Sequence, residues 1–219
     1  MPVTPTLRLE RRCWQAGERV VVGIDEVGRG AWAGPVTVGA VVSAPEHLRG
    51  IRDSKELTRP ERERAAAAVG DWAVAIGIGH ASPYECDELG MTAALRVAAR
   101  RALAELATQG FEPDRVILDG NHDYIGLGDR CTTVIKGDAS VLAVAAASCV
   151  AKVTRDALMV DEADHYPPYD FASNVGYPAP VHKYALRGYG PSAIHRRSWI
   201  FMEGLCWRGL PPPPGRLFA

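Results

Sequence analysis

Four acidic residues stand where the chain otherwise lays down apolar side chains. Asp25 and Glu26 directly follow Val20-Val21-Val22-Gly23-Ile24, Asp119 follows Val116-Ile117-Leu118, and Asp138 closes Val134-Ile135-Lys136-Gly137. Each β-branched run reads as a buried strand that delivers a carboxylate at its C-terminal end, the edge at which open α/β sheets bind ligands. Carboxylates gathered without partners repel one another and hold their protons. Three or four together are tolerated mainly around hard divalent cations, and an all-oxygen donor set suits Mg²⁺ or Mn²⁺. Two such ions about 4 Å apart activate a water and stabilise the leaving oxygen of an in-line phosphodiester displacement, without a serine nucleophile or histidine base. Any one acid, taken alone, reads better as a strand cap or as the partner of a base such as Lys136 or Arg29. Four of them at three strand ends favour the metal. One tension remains: consecutive strand residues point to opposite faces, so Asp25 and Glu26 share a site only if the pleat breaks, for which Gly23, Gly28 and Gly30 make room.

The elements that must position these acids are legible as patterns. Residues 19–28 and 36–44 read as strands close enough to form a hairpin. Thr58 and Glu61 make a capping box, with Pro60 in the first turn of a helix that Gly70 is expected to stop. Residues 73–81 predict a third strand, 92–109 a helix ended by Gly110, and 115–120 and 132–138 two further strands. Residues 140–163 predict a long helix, apolar around most of its circumference and therefore central. A short helix near 180–188 follows a series of turn signals, and the prolines at 211–214 read as linker or disorder. The order predicts one α/β domain, a mixed five-stranded sheet flanked by helices with a small C-terminal helical segment. Its bounds are 19–200, between an N-terminal extension (1–18) and a tail (201–219).

Composition narrows the class. The 219 residues suffice for one sizeable core, and the longest apolar stretch, residues 141–151, is too short to cross a membrane. The first ten residues lack a signal-peptide pattern, and the five cysteines form no CxxC pair. Neither a disulfide framework nor a zinc site is suggested, and a reducing cytoplasm is the expected compartment. Net charge is only −1, yet residues 165–219 carry six Lys/Arg against two Asp/Glu and ten of the sixteen aromatics. Bases interleaved with Tyr and Trp suit a surface that meets phosphates and nucleotide faces; the equal alternative is a helical tail whose aromatics pack on the core.

Seven blocks carry a more specific signal: DEVGRG (25–30) with AGPV after it, DSK-L (53–57), LDGN (118–121), KGD (136–138), AASCVAKVTRD (146–156), GYP…H (176–182) and YGP…HRRSW (189–199). In this order, over about residues 20–200, they resemble the signature of the ribonuclease HII family. The resemblance implies a ribonuclease H-like fold and a Mg²⁺- or Mn²⁺-dependent endonuclease. Such an enzyme cuts the RNA strand of RNA–DNA hybrids at the P–O3′ bond, leaving 5′-phosphate and 3′-hydroxyl ends. It maps a catalytic, metal-binding quartet onto Asp25, Glu26, Asp119 and Asp138. Asp156 competes for the fourth place, although beside Arg155 in a long helix it reads as a structural salt bridge.

The same resemblance assigns the Gly28-Arg29-Gly30 loop to the ribonucleotide at an RNA–DNA junction and Tyr177 to the neighbouring deoxyribose, within a helical substrate-binding segment near 165–200. Glycines let the backbone approach a sugar closely, and the 2′-hydroxyl is what distinguishes RNA from DNA. Cleavage 5′ to a single ribonucleotide embedded in duplex DNA is implied, in a setting of replication and ribonucleotide excision repair. Lys55, Lys136, Lys152, His182, Lys183, Arg196 and Arg197 are candidate phosphate contacts, Lys136 foremost. Ala179 stands where the family often shows threonine, so no hydroxyl contact is expected there. The expected partners are RNA–DNA hybrid and ribonucleotide-containing duplex, bound by a monomer with no membrane contact. A replication-clamp contact is weighed for the tail, although LCWRGLPPPPGRLF (205–218) matches no trusted pattern.

Three other readings stay open. A different nuclease or transposase on the same fold would keep the acids and lack GRG and Tyr177. A non-catalytic hybrid-binding module would have lost an acid, and none is missing. A nucleotide-binding α/β protein needs its glycine loop between strand and helix, whereas EVGRG leads into another strand. The related type HIII enzymes carry an added N-terminal domain, against about 18 residues before the first strand here.

Overall fold

A computed structural model describes residues 4–48, 50–51 and 57–205; Lys55 and the Pro-rich tail lie outside the described residues. Strands β1 (Val21–Val27) and β2 (Val36–Val42) form the expected antiparallel hairpin, in continuous register from Val22↔Val42 to Val27↔Thr37. β3 (Ala75–Ala81) adds antiparallel to β2, while β4 (Arg115–Asp119) and β5 (Cys131–Val134) add in parallel on the other side of β1. The sheet runs β3-β2-β1-β4-β5, five strands of mixed direction as predicted.

Helices cover both faces. α4 (Met91–Thr108) packs Ala94, Leu95, Ala98 and Ala102 against Val22, Ile24, Val38 and Ala40. On the opposite face lies α6 (Leu142–Asp161), every residue of which is buried from Leu142 to Ala151. A helix this apolar all round belongs at the centre. Its backbone comes unusually close to the sheet. A Cβ at Gly23 would fall 2.2 Å from the Ala143 carbonyl carbon, and one at Gly39 2.5 Å from the Ala147 oxygen. Small residues on both sides thus set the distance between helix and strands.

Several elements depart from expectation. The stretch set apart as an N-terminal extension contains α1 (Arg8–Gln15), which packs into the domain. Glu10, fully buried, accepts the Ala143 amide at 2.8 Å and so caps α6 from 133 residues away. Helix α2 (Arg59–Trp72) starts at the Thr58/Glu61 capping box but runs through Gly70. Buried Val69 and the Trp72 indole, which donates to the Glu46 carbonyl at 2.7 Å, anchor that last turn more strongly than one glycine weakens it. Helix α3 (Pro83–Leu89) was not predicted; Ser82 and Glu85 form its capping box. The strand expected at 132–138 stops at Val134. Lys136 then takes a left-handed conformation (φ 56°) and α5 (Gly137–Ser140) begins, so Asp138 sits in a helical turn instead of closing a strand.

Residues after α6 form a small second core. α7 (Phe171–Asn174) and α8 (Pro180–Tyr189) bury Tyr169, Phe171, Ala185, Leu186 and Ile194 against Ala33 and Met159. The aromatics of this basic segment therefore divide: Tyr169 and Phe171 are core, while Tyr184 and Tyr189 are exposed. Among the described residues no helix is long and apolar enough to cross a membrane.

Candidate active site

β1 outruns its parallel neighbour. Pairing with β4 ends at Ile24↔Leu118, leaving Asp25 and Glu26 at the C-terminal edge with Asp119 beside them on β4. The pleat does not break, since Asp25↔Gly39 and Glu26↔Val38 stay in register. Alternation then sends the two acids to opposite faces. Asp25 turns toward α6, where it hydrogen-bonds Ser148, and Glu26 toward the α4 side, where the Tyr124 hydroxyl lies 3.5 Å away. The acids meet around the rim of the sheet, which is how neighbours in a regular strand still share one site.

The electrostatics are those of acids that repel one another. Burial pushes the Asp25 carboxyl up to about 8; its Ser148 hydrogen bond opposes this, and the charges of Glu26 and Asp119 add to it. Glu26 is also raised, by burial first, with Asp119 adding and Arg29 opposing. Tyr124, nearly buried, is driven well above the usual phenol range by burial and then by the charges of Glu26, Asp25 and Asp119. Three of the four predicted acids thus feel one another. Each also has a protein partner: Ser148 for Asp25, Arg29 at 3.4 Å for Glu26, and the Gly137 amide, 2.7 Å from Oδ1, for Asp119. Among the described residues no three His, Cys, Asp or Glu side chains are gathered tightly enough to ligate one ion. Asp138 is buried and tied to the cluster through its neighbour Gly137, whose amide holds Asp119.

A cavity of about 220 Å³ opens at this rim, lined by Asp25, Glu26, Val27, Gly28, Arg29, Gly30, Ser148, Lys152 and Tyr177. Two of the four acids, Asp25 and Glu26, therefore share one space with the glycine loop and Tyr177, while Asp119 and Asp138 are not among the lining residues. Gly28 is required where it stands. Its φ is +84°, and a Cβ would sit 2.2 Å from the Arg155 Nε. Two fully buried arginines grip main-chain carbonyls of the glycine loop and of the segments beside it. Arg196 donates to Gly28 O (2.6 Å), Arg29 O (3.0 Å) and Gly34 O (3.2 Å); Arg155 donates to Pro35 O (2.9 Å), Ala33 O (3.0 Å) and Val175 O (2.8 Å). The Tyr177 ring lies 5.4 Å from the Arg155 guanidinium and 5.6 Å from Lys152 Nζ, within cation–π range.

Two predicted contacts need correction. Arg196 and His182 are both fully buried, their polar atoms turned to protein partners, so neither presents a charge to a phosphate. They support the loop and Tyr177 from within. Arg29, Lys136 and Lys183 are exposed, Lys152 lines the cavity, and Arg197 turns toward the Pro191 and Ser192 carbonyls. Asp156 pairs with Lys152 at 2.8 Å rather than with Arg155. Tyr124, Ser148 and Arg155 were not singled out for the site. Ser148 stands four residues before the candidate Lys152 on α6, a spacing that places both on one face and would have flagged Ser148.

A sheet of this order with carboxylates at the ends of adjacent parallel strands defines a ribonuclease H-like nuclease. Residues 22–202 match the family model for Ribonuclease HII. A ribonuclease HII from Streptomyces avermitilis is 49% identical over 217 residues, spanning 96% of this chain and 91% of its own. The ribonuclease H2 of Pyrococcus horikoshii superposes with a TM-score of 0.68 at 26% identity, over 84% of this chain and 95% of its own. The ribonuclease HII of Archaeoglobus fulgidus, solved in complex with PCNA, matches with a TM-score of 0.68 at 25% identity, over 83% and 95%. The chain belongs to the ribonuclease HII family and is an endonuclease of ribonuclease H type.

Proposed function

We propose that this enzyme hydrolyses the RNA strand of RNA–DNA hybrids and nicks duplex DNA on the 5′ side of a single embedded ribonucleotide, leaving 5′-phosphate and 3′-hydroxyl ends. The observation that carries the reading is the shared cavity, which sets Asp25 and Glu26 opposite Gly28-Arg29-Gly30 and Tyr177. Main-chain groups of the glycine loop can approach a 2′-hydroxyl because no Cβ intervenes. Tyr177, held by Arg155, offers its ring to the next sugar. Arg29 and Lys152 stand at the cavity to receive flanking phosphates, and exposed Lys136 stands two residues before Asp138.

Asp25, Glu26 and Asp119 would hold Mg²⁺ or Mn²⁺, with Asp138 as the fourth ligand. The fit rests on their oxygen-only donors and on the raised carboxyls of Asp25 and Glu26, which a cation would relieve. In this structure Glu26 faces Arg29 at 3.4 Å, so a cation there would compete with that guanidinium for the carboxylate. When bound, a pair of divalent ions supplies an activated water and offsets charge on the leaving 3′-oxygen. The PCNA complex of the Archaeoglobus relative supports a sliding-clamp contact, and the enzyme is expected to act as a monomer in the cytoplasm.

The test is a duplex carrying one ribonucleotide, incubated with Mn²⁺ or Mg²⁺ and, separately, with chelator. One nick 5′ to the ribonucleotide that disappears with chelator is the expected result. Cutting of all-DNA duplex at a comparable rate would overturn the substrate reading.

A further inference from the structure

Behind Tyr177 lies a buried chain of hydrogen bonds that the reaction itself does not use. The Ser192 amide reaches His195 Nδ1 at 2.9 Å, His195 Nε2 lies 2.8 Å from His182 Nε2, and His182 Nδ1 lies 2.8 Å from the Tyr177 carbonyl oxygen. Both imidazoles are buried, ringed by Trp32, Tyr169 and Phe171.

The two ends of the chain fix its direction. The Ser192 amide only donates, and the Ser192 hydroxyl, 2.7 Å from the same nitrogen, can donate as well, so His195 Nδ1 is the bare acceptor and its proton is on Nε2. That proton is donated to His182 Nε2, which is therefore bare, leaving the His182 proton on Nδ1. A carbonyl only accepts, and the Tyr177 oxygen receives it. One proton lies between the two Nε2 atoms, and a second has no acceptor. Burial holds both rings below the usual imidazole range, and for His195 the neighbouring His182 and Arg197 add to this.

We propose that His182 and His195 are positioning residues: as a neutral pair of opposite tautomers they fix the Tyr177 main chain, and through it the ring, at the wall of the substrate cavity. The consequence for substrate choice rests on Tyr177 contacting the sugar beside a lone ribonucleotide, as proposed above. The Gly176 carbonyl, one residue earlier, accepts the Trp32 amide at 2.8 Å, so the chain locks Tyr177 onto the segment that follows the glycine loop.

Two measurements on the full-length protein decide the matter separately. In histidine-¹⁵N-labelled enzyme at neutral pH, one ring should show a protonated Nδ1 with a bare Nε2 and a second the reverse. The Nδ1-protonated signal should vanish in the His182→Phe variant, whose phenyl ring suits the aromatic pocket, while the Nε2-protonated one, held by the Ser192 amide, should remain. Two Nε2-protonated rings, or titration of either near an ordinary pKa of about 6.5, overturn the chain whatever Tyr177 does. In kinetics, His182→Phe should raise KM for the single-ribonucleotide duplex about tenfold more than for a long hybrid. The double variant with Tyr177→Ala should be no worse than Tyr177→Ala alone. Additive losses overturn the positioning role. If Tyr177→Ala itself leaves the preference between the two substrates intact, the sugar contact fails instead, and the spectra still decide the chain.

Discussion

The two walls of the cavity are built on opposite electrostatic principles. The rim of the sheet crowds Asp25, Glu26 and Asp119, whose partners include the Ser148 and Tyr124 hydroxyls, the exposed Arg29 guanidinium and the Gly137 amide. The loop wall buries two arginines and two histidines, whose polar atoms meet main-chain carbonyls, one another, or the Ser192 amide and hydroxyl at hydrogen-bond distance. Burying charge without a partner costs free energy, whereas burying it fully hydrogen-bonded rigidifies what it touches. On the proposed function, the wall assigned to recognition is preorganised by the protein alone, while the wall assigned to catalysis would be completed by cations.

The largest effect should come from removing an acid. Asp25→Asn is expected to lower kcat by about 10³-fold or more, because the rim loses a ligand and charge together. The same substitution should raise the melting temperature of chelated enzyme at pH 8, since it deletes a carboxylate that burial disfavours. A variant that is both inactive and less stable in chelator would show that the rim is not under electrostatic strain.

Arg196→Met tests the other wall. Its loss removes a buried donor from the Arg29 and Gly34 carbonyls and leaves Gly28 with the Ala31 amide, a cost of about 3 kcal/mol, and the melting temperature should fall by roughly 10 °C. Metal should not rescue it. Equal loss of stability from Asp25→Asn and Arg196→Met would erase the contrast between the walls.

The contrast also predicts pH slopes of opposite sign. Asp25 holds its proton to about 8 in the fold but releases it near 3.8 when unfolded. Chelated enzyme should lose stability as pH rises between those values, by at most about 1.4 kcal/mol per unit, and level off above. His182 and His195 are depressed, so the unfolded chain takes up protons near 6.5 that the fold refuses, and their contribution is lost as pH falls below that value. Saturating Mg²⁺ should flatten the first slope and leave the second. Thermal melts with and without chelator from pH 5 to 9 check both.

The same division explains what the sequence made legible. β-branched runs ending in an acid identify β1 and β4 and place Asp25, Glu26 and Asp119, because strand pattern and terminal charge are both local. The role of Arg196 is not local: an arginine in HRRSW looks the same whether it meets a phosphate in water or three carbonyls in the interior. Only the fold decides between them. His182 was misjudged for that reason, and Glu10 escaped notice because its partner lies at the start of α6. Asp138 was placed on a strand since Val134-Ile135 continues the β pattern; the left-handed Lys136 that ends it is a conformation the sequence hardly signals.

The smallest effect sharpens the boundary between the walls. Asp156 sits in the block AASCVAKVTRD (146–156), and its position on α6 beside the cavity invites a metal role. The structure ties it to Lys152 at 2.8 Å, one turn away, with both side chains partly accessible. An i,i+4 pair of this kind contributes about 0.5 kcal/mol. Asp156→Asn should therefore shift the melting temperature by no more than about 2 °C and change kcat by less than about threefold. KM should move more than kcat, since Lys152, freed from its partner, still lines the cavity and meets the substrate's phosphates. A collapse of kcat comparable to that of Asp25→Asn, reversed by raising the Mn²⁺ concentration, would instead place Asp156 among the ligands and move the edge of the catalytic wall onto α6.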